Sequence, residues 1–208
     1  MKRPRNKRAK ILVTGFGPFP GVANNPSGQL AQALARSRRA KRTARVSALV
    51  IPTTYTDTAK LPQRIAREKP DAVLMFGLAG RARVLRIETR GRNQASTKHL
   101  DATGKKAHRV LVPGAPKLLK TTAPAARLVK AARSTGARAR LSTDAGGYVC
   151  NAAIFHMLNG MRGEKAPPVA FVHIPWPREY AGGRQRPTFA ALQRAAEAML
   201  VAMVRQPA

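Results

Sequence analysis

Four short apolar runs constrain this chain more than any other feature: residues 11–16, 46–51, 72–76 and 169–174. Each ends at glycine or proline. Residues 11–16, 72–76 and 169–174 read as buried strands, the pattern of a parallel sheet, and 46–51 as a further strand. Helical patterns lie between them. Asn25 and Pro26 form an N-cap and first-turn proline, predicting a helix to about Arg38. Residues 56–68 carry Leu61 and Ile65 at helical spacing, and helices are expected over 123–134 and 149–158. Over 187–204, Phe189, Leu192, Ala196, Met199 and Met203 make one apolar stripe. Strands alternating with helices imply a single three-layer α/β/α sandwich around a mostly parallel sheet. A chain of 208 residues fills one such domain. The expected division is a flexible basic arm over 1–10 and one domain over 11–208.

Other segments are less regular. Residues 84–93 alternate, so one strand should present Val84, Arg86, Glu88, Arg90 and Arg92 on a single face. Residues 94–108 read as a polar loop, 110–116 as an extended segment with a turn, and 138–143 as a short strand.

The chain carries 39 Lys and Arg against 9 Asp and Glu, a formal net charge of +30. The basic residues are scattered over every segment, and no zinc-finger spacing or RNA-binding aromatic motif accompanies them. Charge of this kind favours salt-sensitive, non-specific binding to polyanions and says little about fold. One cysteine excludes an internal disulfide and points to a reducing compartment, the cytoplasm. No apolar stretch suits a signal peptide or a membrane span. No HExxH, CxxC or glycine-rich phosphate loop is present, so neither metal nor cofactor is expected.

That cysteine, Cys150, follows Asp144-Ala145-Gly146-Gly147-Tyr148-Val149 and opens an apolar helix. A helix N-terminus favours the thiolate, so an activated Cys150 should alkylate below the usual thiol pKa near 8.5. A buried structural thiol is the competing reading. His173, at the carboxyl end of the last apolar run, is placed to act as a base. Glu88, between Arg86 and Arg90, is placed either to orient an imidazole or to pair with its arginines. Phe16 and Phe19 flank a Gly-Pro bend and suit either a small apolar pocket or the core.

Several of these pieces align with one family. Thr14-Gly15-Phe16, Pro18-Phe19 and Asn25-Pro26-Ser27 resemble the opening of pyroglutamyl peptidase type I. Gly77-Leu78-Ala79, Ile87-Glu88, Asn93, Val112-Pro113-Gly114-Ala115-Pro116, Tyr148-Val149-Cys150-Asn151 and Phe171-Val172-His173-Ile174-Pro175 follow in the same order. The resemblance implies a cysteine peptidase acting on peptides with an N-terminal pyroglutamyl residue. Cys150 would be nucleophile, His173 base and Glu88 its orienting partner. Phe16, Phe19, Asn25 and Leu78 would fall among the substrate-binding positions. It also implies no cofactor and assembly as a homo-oligomer, often a tetramer. The chain departs from the family around the pocket: Pro20-Gly21 replaces a glycine pair, Thr89 an arginine and Leu78 a frequent glutamine. Two alternatives therefore stand beside the peptidase: a related cysteine hydrolase with an altered pocket, and an inactive polyanion-binding homologue.

Overall fold

The computed structural model describes residues 8–204. Most of the basic arm lies outside the described residues. Its last member, Lys10, already begins a strand and pairs with Glu68 at 3.1 Å.

The first apolar run forms β1 (Lys10–Phe16) and leads to α1 (Pro26–Arg36). The expected helix stops two residues early. Ser37 ends it and caps a separate short α2 (Arg38–Thr43), accepting from Ala40 N–H and donating to Glu197 Oε1 at 2.7 Å. Next come β2 (Arg45–Ile51), α3 (Tyr55–Glu68) and β3 (Ala72–Leu78), then β4 (Leu85–Glu88), β5 (Arg90–Arg92) and β6 (Leu118–Lys120). The chain closes with α4 (Ala125–Arg133), β7 (Ala139–Ser142), α5 (Val149–Gly160), β8 (Val169–Ile174), α6 (Arg178–Ala181) and α7 (Phe189–Val204).

Six strands form one sheet in the order β2-β1-β3-β8-β4-β7. The first four in that order are parallel; β4 runs antiparallel to β8, and β7 parallel to β4. Alternation along the strands splits the core in two. Ile11, Val13, Leu74, Phe76, Val172 and Ile174 face α1, α4 and α7. Leu12, Val73, Met75, Val169 and Phe171 face α3 and α5. Leu192, Ala196, Met199 and Met203 of the expected α7 stripe are buried, and Phe189 packs against them.

The single strand expected over 84–93 is two strands in different sheets. Thr89 N–H donates to Ser142 O, while Thr89 O accepts from Thr121 N–H. The chain thus leaves the main sheet at Thr89 and pairs β5 with β6 instead. Arg90 and Arg92 go with it and reach the loop after β7 rather than Glu88. Residues 110–116 form bends around a turn at 113–114; Asn93 clamps them through Val112 N–H, Val112 O and Ala115 O.

Candidate active site

Odd positions of β3 and β8 and even positions of β4 share the face toward α5. Glu88 and His173 therefore project from the same side. In register, Arg86 opposes His173 and Glu88 opposes Phe171, so Glu88 is the diagonal neighbour of His173. Glu88 Oε1 lies 2.8 Å from His173 Nδ1, and both side chains are buried. A carboxylate can only accept here, which puts the proton on Nδ1 and the lone pair on Nε2. Arg86 stands beside the pair, 3.5 Å from Glu88 Oε1 and 3.4 Å from His173 Nδ1.

Gly77 is the register partner of His173 on the other side, in β3. A Cβ on Gly77 would sit 2.8 Å from Phe171 Cζ and 2.9 Å from Cys150 Sγ. Only hydrogen fits there. The absent side chain lets the sulfur rest over β3 at the position paired with His173, and Cys150 and His173 line one cavity of about 690 Å³ with no hydrogen bond between them.

The loop before Cys150 explains how the sulfur reaches that spot. Asp144 Oδ1 accepts from Gly146 N–H at 2.8 Å, closing a tight turn ahead of α5. The first helical bond runs from Ala152 N–H to Tyr148 O. The N–H groups of Val149, Cys150 and Asn151 have no protein acceptor among the described residues. Asn151 faces away and binds Arg92 and Gln94 backbone through its amide, tying α5 to β5.

The expectation of a lowered thiol pKa is not met. Burial pushes the Cys150 thiol up to about 12; the Glu88 carboxylate adds to the rise and Arg86 opposes it. The helix N-terminus does not overcome loss of water around the sulfur. The side chain is half-buried and lines the cavity, and the direction of the shift is toward the thiol form. Burial also depresses His156, which lies deep in α5 beside Phe155 and away from the cavity.

Tyr148 closes one side of the cavity and is backed by further aromatic rings. Tyr148 lines it and lies 6.3 Å from Phe19, 6.0 Å from Tyr55 and 6.2 Å from His99, measured between ring centroids. Its hydroxyl donates to Leu100 O at 2.9 Å. Burial raises the Tyr55 hydroxyl to about 12 and raises Tyr148 as well, so both stay neutral. Phe19 is held by a turn over Pro20-Gly21, bonded to Val22 in both directions, with Gly21 at φ 79°. Proline followed by a positive-φ glycine suits a type II turn, so this departure from the family keeps the loop tight.

Of the four expected binding residues, Phe16, Phe19 and Asn25 do not line the cavity. Phe16 is buried under Phe171, at 6.4 Å, and supports the site from below without lining the cavity. Asn25 spends its side chain internally, donating to Gly17 O and accepting from Ser27 N–H and Oγ. It caps α1 and fixes the Phe19 loop but does not face the cavity. Leu78 does line it. Sequence reasoning missed Tyr148 as a lining residue and Asp101 as the anchor of the 94–108 loop. Asp101 accepts from Thr103, Lys105 and Tyr55 N–H; burial raises its pKa, but these hydrogen bonds prevail and lower it. Its signal was its position as the only acid in that basic loop. No cluster of three or more His, Cys, Asp or Glu side chains able to hold a metal occurs among the described residues.

The pyroglutamyl peptidase family profile matches residues 9–206. The chain belongs to the pyroglutamyl peptidase family. It is therefore a peptidase-family hydrolase. A pyrrolidone-carboxylate peptidase of Thermococcus kodakarensis is 33% identical over 184 residues, covering 87% of this chain and 88% of the relative. That of Streptomyces coelicolor is 31% identical over 205 residues, covering 96% and 94%. Among family structures, the Thermus thermophilus pyrrolidone carboxyl peptidase superposes with a TM-score of 0.81 at 31% identity, covering 92% of this chain and 99% of its own. Pyroglutamyl peptidase I of Bacillus amyloliquefaciens gives 0.85 at 26% identity, covering 95% and 96%. No helix among the described residues is long and apolar enough to cross a membrane.

Proposed function

We propose that this protein is a cysteine peptidase that removes the pyroglutamyl residue from the N-terminus of peptides. Cys150 acts as nucleophile, His173 as base and Glu88 as the group that orients it. The observation that carries this reading is the short contact between His173 Nδ1 and Glu88 Oε1, with Cys150 Sγ seated on the neighbouring Gly77.

The chemistry follows from those positions. His173 Nε2 takes the thiol proton as Sγ attacks the pyroglutamyl carbonyl carbon. Because the free thiol is held up by burial, the thiolate forms in concert with attack and is not stored beforehand. The unbonded amides opening α5 receive the oxyanion. Collapse breaks the C–N bond, and the proton on His173 goes to the leaving amine. His173 then deprotonates a water that attacks the thioester, releasing pyroglutamate and restoring the thiol.

Specificity follows from the aromatic side. A lactam has no charged α-amine and suits a cavity whose Tyr148 wall is backed by Phe19. An N-terminal glutamate would have to shed water from its charges there, at a cost of several kcal/mol. A mechanism that depends on one free thiol supports a reducing compartment, the cytoplasm, as its location.

Hydrolysis of a fluorogenic pyroglutamyl amide by wild type and Cys150→Ala tests the proposal. Turnover by the wild type that vanishes in the variant is expected. No wild-type turnover, or turnover that survives in Cys150→Ala, overturns it.

A further inference from the structure

The cavity has two unlike sides, and the sheet order says what each receives. Phe19 follows β1 and Tyr55 follows β2, on one side of Gly77 and Cys150. Beyond them the order continues through His173 on β8 and Arg86 on β4 to Arg140 on β7. Under the peptidase reading, the leaving amine takes its proton from His173. The peptide after the scissile bond must therefore continue past His173, away from the aromatic rings and toward β4 and β7.

That side is basic. Arg81, Arg83 and Arg140 line the cavity there, all exposed. Arg86 is spent on Glu88 and His173, but the other three have no carboxylate within 4.0 Å among the described residues. No aspartate or glutamate lines the cavity. Arg83 also borders a second cavity of about 290 Å³ that holds Arg138, Arg178, Arg186 and Arg194, again without an acidic lining residue. One Arg186 nitrogen, Nη1, is buried there with no hydrogen-bond partner. The cations thus form a continuous track from the leaving-group side of Cys150 outward.

We propose that this track is a subsite for acidic leaving peptides, and that the enzyme favours substrates with aspartate or glutamate following the pyroglutamyl residue. Arg81, Arg83 and Arg140 are its specificity-determining residues. The inference rests on the peptidase reading above. Guanidinium groups with no carboxylate of their own can pair with substrate carboxylates without first breaking an internal bond. The contacts are exposed, so the gain is modest and sensitive to salt.

The test compares kcat/KM for C-terminally amidated peptides carrying Asp, Ala or Lys after pyroglutamate. It uses wild type and an Arg83→Glu/Arg140→Glu double variant. At low salt the wild type should prefer Asp over Ala about five- to tenfold, expressed mainly in KM, and should disfavour Lys. The preference should collapse near 1 M salt, where the screening length is about 3 Å. The double variant should reverse the Asp-to-Lys order. Equal kcat/KM for all three peptides, or a preference that survives both salt and the charge reversal, overturns the subsite. Cys150-dependent cleavage of the alanyl peptide reports separately on the peptidase reading. If no peptide is cleaved, that reading fails and the subsite fails with it. The salt series on wild type reads the same charge without any substitution, so poor folding of the variant cannot hide the answer.

Discussion

The aromatic and basic flanks of the cavity meet at Cys150 and are built on opposite principles. On the aromatic flank most polar groups near the rings are used within the protein, the buried Tyr55 hydroxyl being without a partner among the described residues. Asn25 caps α1, Asp101 gathers loop amides, and Tyr148 donates to Leu100 O. On the basic flank Arg81, Arg83 and Arg140 project from β7 and the β3–β4 loop with no carboxylate partner among the described residues. A satisfied, apolar wall selects by shape and desolvation. Unsatisfied cations select by charge and yield to salt. The imidazole and its carboxylate lie between the two, buried like the first and polar like the second.

The contrast can be broken first at the pair between the flanks. Glu88→Gln should lower kcat about 10²- to 10⁴-fold, because the neutral amide no longer stabilises the imidazolium and its NH2 can turn the ring into the wrong tautomer. The same change removes a charge that raises the Cys150 pKa, so alkylation by iodoacetamide should become faster. Opposite movement of turnover and alkylation is the signature; if both fell together, the carboxylate would not act as described. In wild type, a thiol pKa of about 12 means the thiolate population keeps growing as pH rises past 9. Its alkylation rate should climb through that range, where an ordinary cysteine near 8.5 has already levelled off. A plateau by pH 9 would show that burial does not control the sulfur.

Gly77→Ala tests the floor shared by both flanks. The new Cβ would press on Phe171 and Cys150, with only 2.8 and 2.9 Å available. Activity should drop about 10- to 100-fold and stability by about 1–3 kcal/mol, read from kcat and thermal melting. Unchanged melting and turnover would mean the sulfur does not sit over that strand. The smallest expected effect sharpens the flank comparison itself. Phe19→Ala should raise KM about tenfold for a neutral pyroglutamyl amide, with no dependence on salt. A salt-dependent loss would place charge recognition on the wrong flank.

Much of this was legible in the chain. The four apolar runs became β1, β2, β3 and β8, and Asn25-Pro26 opened α1 as expected. These features are local: alternation, capping and turn chemistry act over a few residues. The misreadings share a different cause. The alternation of residues 84–93 continues past Thr89, but partners at Ser142 and Thr121 pull the backbone into another sheet. Ser37 divides a continuous helical pattern because its hydroxyl finds Glu197, 160 positions away. Phe16 and Phe19 look equivalent around a Gly-Pro bend, yet only packing against Phe171 or Tyr148 separates support from wall.

The sequence by itself determined the order of elements, the opening of α5 at Cys150 and the alternation that turns Glu88, Gly77 and His173 toward one face. The tertiary structure decided that Glu88 and His173, 85 positions apart, come within 2.8 Å, and that burial raises the pKa of the Cys150 thiol lying over Gly77. Periodicity fixes which way a side chain points. Strand order fixes what it meets, and the water excluded when α5 packs on the sheet shifts its pKa.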